Sequence, residues 1–132
     1  MKILKTITVL LLSSMISSAA IAGNKKGGVY IFGISSSFTD TIAYVTPVQR
    51  LDSINVKRGS ALPFGARYSS QLENFVESDM GNPKQTAATF YSNSRKRVLK
   101  DRDRVVNRYK KRFDHKIVVL SQDDFSYEYI SE

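Results

Sequence analysis

The most hydrophobic stretch of this chain is its first 22 residues, and it is patterned for removal. Lys2 and Lys5 form a short positive region, Ile7 to Ile16 a mostly apolar one, and Ala20-Ile21-Ala22 a small-x-small cleavage site. Those three parts in that order make a secretory signal peptide. The fold must therefore be built from the less apolar remainder. An uncleaved anchor is the competing reading, since Thr6 to Gly23 carries no charge and approaches the length of a membrane span. Thr6, Thr8, Ser13, Ser14, Ser17 and Ser18 dilute that run and favour cleavage. Lipidation at the cleavage site is excluded, because it needs a cysteine and the chain has none. The expectation is an exported protein, periplasmic or extracellular after cleavage near Ala22, with no transmembrane segment in what remains.

Removing 22 of 132 residues leaves 110, the size of one domain over 23–132. A domain of that length buries roughly two-thirds of its unfolded surface. Without cysteine it has no disulfides, no thiolate nucleophile and no Cys-ligated metal, so its apolar core must hold it together. The core material is present: all 7 Phe and 7 Tyr lie beyond the signal peptide.

Charge is unevenly placed. Without Lys2 and Lys5 the chain has 18 basic and 12 acidic side chains, a net of +6. The segment Arg95 to Arg112 alone holds ten Lys/Arg against two Asp, a net of +8, leaving −2 for everything else.

Val29 to Ile34 is rich in β-branched and aromatic residues and apolar on both faces, which predicts a central strand. Ser35 to Ser37 with Thr39-Asp40 reads as a turn, and Thr41 to Val48 as a second strand in an antiparallel hairpin. Pro47 cannot donate to a ladder, so that end should be an edge or a bulge. Arg50 to Gly65 reads as a loop. Tyr68, Leu72, Phe75, Val76 and Met80 recur at helical spacing. Ser70 to Glu73 fits a capping box, so that helix should begin at Ser70 or a turn earlier, with Gly81 and Pro83 ending it. Thr86 to Tyr91 reads as a third strand. Ser92-Asn93-Ser94 offers an N-cap for a second helix over about Arg95 to Phe113, its apolar stripe being Val98, Leu99, Val105, Val106, Tyr109 and Phe113. Arg102 lies inside that stripe and should snorkel along its edge. Lys116 to Leu120 reads as a fourth strand, and Phe125 to Ile130, alternating apolar and polar, as a fifth. The expected fold class is α/β (α+β): a mixed four- to five-stranded sheet in the order β-β-α-β-α-β(-β), with two helices packed on it.

One constellation stands out for function. Lys96, Arg97, Lys100, Arg104, Arg108 and Lys111 cluster opposite the apolar stripe of the second helix. Such a face attracts phosphates, nucleic acid, anionic lipid or acidic glycan. It also suits a solvated outer surface, with Asp101 pairing to Arg97 and Arg104 and Asp103 to Lys100. No aromatic interleaves it, which argues against base stacking. His115 lies between Asp114 and Lys116 without an accompanying nucleophile, and a helix C-terminus suits a cationic His. Asp123-Asp124 reads as a local cap with Ser121, not as a calcium loop. Neither catalytic residues, nor metal ligands, nor a cofactor are expected.

Gly28-Val29-Tyr30 followed by Ala43-Tyr44-Val45 loosely resembles the two short motifs of GIY-YIG nucleases. That resemblance implies a metal-dependent nuclease using Tyr30, Tyr44, Arg50 and a glutamate, Glu73 or Glu77. Thr46 stands where the second motif has its glycine, and export separates the protein from intracellular DNA.

A broader resemblance spans nearly all of the chain after the signal peptide. Val29 to Gln49, Tyr68-Ser69-Ser70-Gln71-Leu72, Ala88-Thr89-Phe90-Tyr91, the basic helix, and Leu120-Ser121 with Asp124-Phe125 resemble an uncharacterised family of small exported bacterial proteins. The resemblance implies export and a single α/β domain, and supplies no active site. The expected function is a non-enzymatic binding or structural protein of the cell envelope, contacting an anionic surface or an envelope protein through the basic helix.

Overall fold

The computed structural model describes residues 27–54, 56–57 and 59–131. Residues 1–22, which the sequence pattern reads as a signal peptide, lie outside these. The elements are β1 (Val29–Ser37), β2 (Ile42–Val45), β3 (Gln49–Leu51), α1 (Gly65–Ser78), β4 (Gln85–Ser92), α2 (Arg95–Lys111) and β5 (Lys116–Val119). They form a mixed five-stranded sheet with a helix packed on each face. Among the described residues no helix is long and apolar enough to cross a membrane.

β1 is the central strand, as its two apolar faces require. It pairs antiparallel with β4 along one edge, from Tyr30 opposite Ser92 to Ser37 opposite Gln85. Its other edge is shared by β2 and β3 in tandem. Ile34 faces Val45 and Tyr30 faces Arg50, so the partner strand holds one residue more than β1 over this span. That is a β-bulge. It falls at Thr46-Pro47-Val48, where Pro47 has no N–H to offer. Thr46 repairs the ladder at the bulge: its Oγ1 accepts the Gly33 N–H at 2.8 Å, and its own N–H donates to Gly33 O at 2.9 Å. β5 adds in parallel to β2.

Alternate residues of β1 feed two cores. Val29 and Ile31 pack with Tyr44 against Tyr68, Leu72 and Val76 of α1. Phe32 and Ile34 pack with Ala43 and Val45 against Val98 and Val105 of α2, and Phe32 stacks on Phe90 at 4.9 Å. Each buried Val, Leu, Ile or Phe side chain among them contributes roughly 1.5–3 kcal/mol by leaving water.

α1 begins a turn before Ser70. Its N-cap is Phe64, in a left-handed conformation with φ 59 and without a side-chain cap. The capping box Ser70–Glu73 does not form, because both side chains are used elsewhere. Ser70 Oγ donates back to Ala66 O at 3.0 Å. Glu73 accepts the backbone N–H of Ala87 at 2.8 Å, and Glu77 that of Gln85 at 2.9 Å. Ser69 continues the row with a 2.7 Å hydroxyl pair to Thr89. The match is geometric: four helical residues rise about 6 Å, close to the ~6.8 Å of two strand residues. α1 therefore covers the free edge of β4 with a row of acceptors. Its C-terminus ends as expected, with Gly81 at φ +68 and the Asn82 N–H returning to Val76 O at 3.1 Å.

Three sequence expectations need correction. The run Ser35–Ser37 continues β1, and the turn falls on Phe38 to Asp40. α2 stops at Lys111, so Phe113 lies outside the helix and is 46% exposed instead of completing its apolar stripe. The segment Phe125 to Ile130 is not a strand; the fifth strand is β3. The alternation there is real, since Phe125 and Tyr127 are buried beside α1 while Ser126 and Glu128 are exposed. Side-chain amides replace the ladder. Gln49 binds both backbone groups of Tyr127, accepting its N–H at 2.7 Å and donating to its carbonyl at 2.8 Å. Gln71 does the same for Glu128, both at 2.8 Å.

Candidate anionic-partner surface

α2 is fixed at its start by Ser94, whose Oγ accepts the Arg97 N–H at 3.3 Å, and no acidic residue lies in its first turn. Val98 and Val105 are buried against the sheet. Arg102 snorkels as expected and finds a partner: its Nε donates to Thr46 O at 2.9 Å, tying the helix to the bulge. The opposite side of the helix is thereby turned outward. Lys96, Arg97, Lys100, Arg104, Arg108 and Lys111 are all exposed.

Ion pairing on this face is sparse. Arg104 meets Asp101 at 3.6 Å, and among the described residues none of the other five cations has an acidic partner within salt-bridge distance. The expected pairs Arg97–Asp101 and Lys100–Asp103 do not form. Most of the positive charge therefore faces solvent uncompensated, where it raises the local concentration of anions.

Two shallow grooves open at the N-terminal half of this face. One of about 420 Å³ is lined by Ser94, Lys96, Arg97, Lys100, Asp101 and Arg104. The other, about 640 Å³, lies between the loop residues 56–57 and 59–61 and the start of α2 and adds Lys57, Tyr91 and Asn93 to Arg97. The loop is held there by Asn93 Nδ2 on Val56 O at 2.9 Å and by Tyr91 Oη on Ser60 O at 2.8 Å. Lys57 and Tyr91 carry no sequence signal that would link them to the helix, because only the folded loop brings them to it. Together these groups can hold a phosphate or carboxylate by charge and hydrogen bonding.

The residues of the nuclease resemblance are dispersed. Tyr30 packs in the layer of α2, with Arg50 over its ring at 5.6 Å. Tyr44 is buried in the layer of α1, its hydroxyl accepting from Asn82 Nδ2 at 2.9 Å. Glu73 and Glu77 are bound to the β4 backbone. The two tyrosines occupy opposite faces of the sheet and share no cleft. Among the described residues no group of three or more His, Asp or Glu is placed to hold a metal. Asp124 and Ser121 cap one another locally, at 3.0 and 3.2 Å, as their spacing implies. His115 is half-buried, with its Nδ1 3.0 Å from Phe113 O and its ring edge-on to Tyr109 at 5.5 Å.

Burial pushes the Tyr127 phenol well above the ordinary tyrosine range, against a smaller opposing influence of the Thr89 and Thr46 hydroxyls. Its hydroxyl lies in the core and makes no well-aligned hydrogen bond among the described residues. It faces none of the grooves, so it belongs to the fold and not to the site.

The class this geometry defines is an α+β domain with a helix on each face of a mixed sheet, one helix presenting an exposed cationic side. Comparison with family models, curated proteins and solved structures returned no match.

Proposed function

We propose that this protein is an exported, non-enzymatic binding or structural domain of the cell envelope, and that it contacts an anionic partner through Lys96, Arg97, Lys100, Arg104, Arg108 and Lys111. Export rests on the three-part pattern of residues 1–22. The observation that carries the contact is the exposure of all six cations with one ion pair among them. A solubilising surface would be expected to mix signs more evenly.

The test uses heparin as a model polyanion. The purified protein should bind it at low salt and release it as salt is raised, because binding of this kind releases counterions. Charge reversal by Lys100→Glu, Arg104→Glu, Arg108→Glu and Lys111→Glu together should abolish retention while leaving the circular dichroism spectrum unchanged. Absence of binding by the unmodified protein at low salt would end this reading.

A further inference from the structure

Resting on that cationic reading and narrowing its partner, we propose that the domain docks on anionic phospholipid bilayers, inserting the exposed rings of Phe38 and Phe113 beside the basic C-terminal turn of α2. Phe38 occupies the tip of the β1–β2 hairpin and is 101% exposed. Phe113, just past α2, is 46% exposed and sits edge-on to Tyr109 at 5.3 Å. Both rings border one open, mostly apolar groove of about 530 Å³, shared with Ala87, Ala88, Tyr109 and His115. Exposed apolar groups gathered in one place, more than isolated ones, mark interaction sites, and these two rings share one groove.

The chain around Phe113 is positive. From Arg108 to Lys116 the chain carries Arg108, Lys110, Lys111, Arg112 and Lys116 against Asp114 alone, a net of +4. Asp40, which also lines the groove, accepts from the Ile42 N–H at 3.1 Å and from Asn82 Nδ2 at 2.8 Å. A pair of apolar rings, one of them set in a Lys- and Arg-rich stretch, matches the layering of an anionic membrane surface, where acyl chains lie beneath a plane of negative headgroups. A ring exposed on all sides at a hairpin tip is a knob. A protein partner would need a fitted pocket for it, whereas a bilayer accepts it without one.

The chain contains no tryptophan, so Phe38→Trp introduces a single fluorescent reporter at the hairpin tip. The unmodified protein should co-sediment with phosphatidylglycerol-containing vesicles and not with pure phosphatidylcholine. The indole emission of the Phe38→Trp variant should shift to the blue with anionic vesicles and be quenched by brominated acyl chains. Phe38→Ser should weaken vesicle binding at least tenfold and keep wild-type heparin retention. Heparin binding without vesicle binding, an unshifted emission with vesicles bound, or undiminished vesicle binding by Phe38→Ser would each overturn the membrane assignment while leaving the cationic reading intact. Loss of both heparin and vesicle binding in the unmodified protein would remove the cationic reading and this one with it.

Discussion

The phenol of Tyr127 lies over Gly33, in the space that a side chain at 33 would take. A Cβ built on Gly33 overlaps Tyr127 Oη and approaches Leu72 Cδ2 to 3.0 Å and Ala88 O to 3.2 Å. The centre of β1 therefore carries a glycine because the C-terminal segment crosses it. Gly33→Ala should destabilise the domain by about 1–3 kcal/mol, the usual cost of overpacking. Urea unfolding measures it, and a loss under about half a kcal/mol would show that the segment moves aside freely.

The same phenol makes stability sensitive to alkali. Burial raises its pKa above the ordinary tyrosine value of about 10, so the folded state keeps the proton longer than the unfolded chain. Its contribution is then whole below about 10 and is lost as pH rises toward the folded value. Tyr127→Phe should unfold less readily than wild type in that alkaline range. Because the hydroxyl lacks a well-aligned partner among the described residues, the same change should be near neutral at about pH 7. Denaturant midpoints measured against pH for both proteins check this; parallel curves would refute it.

Glu73 and Glu77 close the β4 edge. Replacing both with Ala leaves the Ala87 and Gln85 N–H groups without their acceptors. A destabilisation of about 1–3 kcal/mol per lost cap is expected where the amide stays dry. An uncovered edge is also a template for pairing with another strand. Size-exclusion chromatography should show self-association of the double variant at concentrations where wild type is monodisperse.

Gln49 and Gln71 hold the C-terminal segment by paired amide bonds to Tyr127 and Glu128. Gln49→Leu should cost more than Gln71→Leu, because the Tyr127 pair is half-buried and the Glu128 pair is exposed to water. Amide hydrogen exchange should report faster opening of residues 125–130 in Gln49→Leu, with the β1–β4 ladder less affected.

Arg102 ties α2 to the bulge through the Thr46 carbonyl. Arg102→Met keeps the apolar stem and removes the donor. A loss of about 1.5–3 kcal/mol is expected for a bond to a charged group, measured by thermal unfolding. The outer cations should retain heparin binding in this variant, since Arg102 points inward.

Much of the fold could be read along the chain. β1 announced its central place by being apolar on both faces, Pro47 marked the bulge, and Ser94 marked the start of α2. Gly81 ended α1 where its freedom of φ was needed. The six cations of the candidate face were legible too, because helical period alone sets them opposite Val98 and Val105.

Other features had no local signature. Ser70 and Glu73 have the spacing of a capping box, yet Glu73 serves a strand residue 14 positions later. Phe125 to Ile130 alternates like a strand, and its hydrogen bonds come from glutamines 57 and 78 residues away. Phe113 has helical phase with Tyr109, but the helix has already ended at Lys111.

Periodicity, turn chemistry and charge act between near neighbours, so the sequence by itself determined most of the strands, the helices and which face of α2 is basic. Which carboxylate covers the β4 edge, which amides hold the last segment, and that Phe38 and Phe113 line one groove were decided only by the tertiary structure. Such choices depend on which distant backbone groups are left unpaired once the sheet has formed.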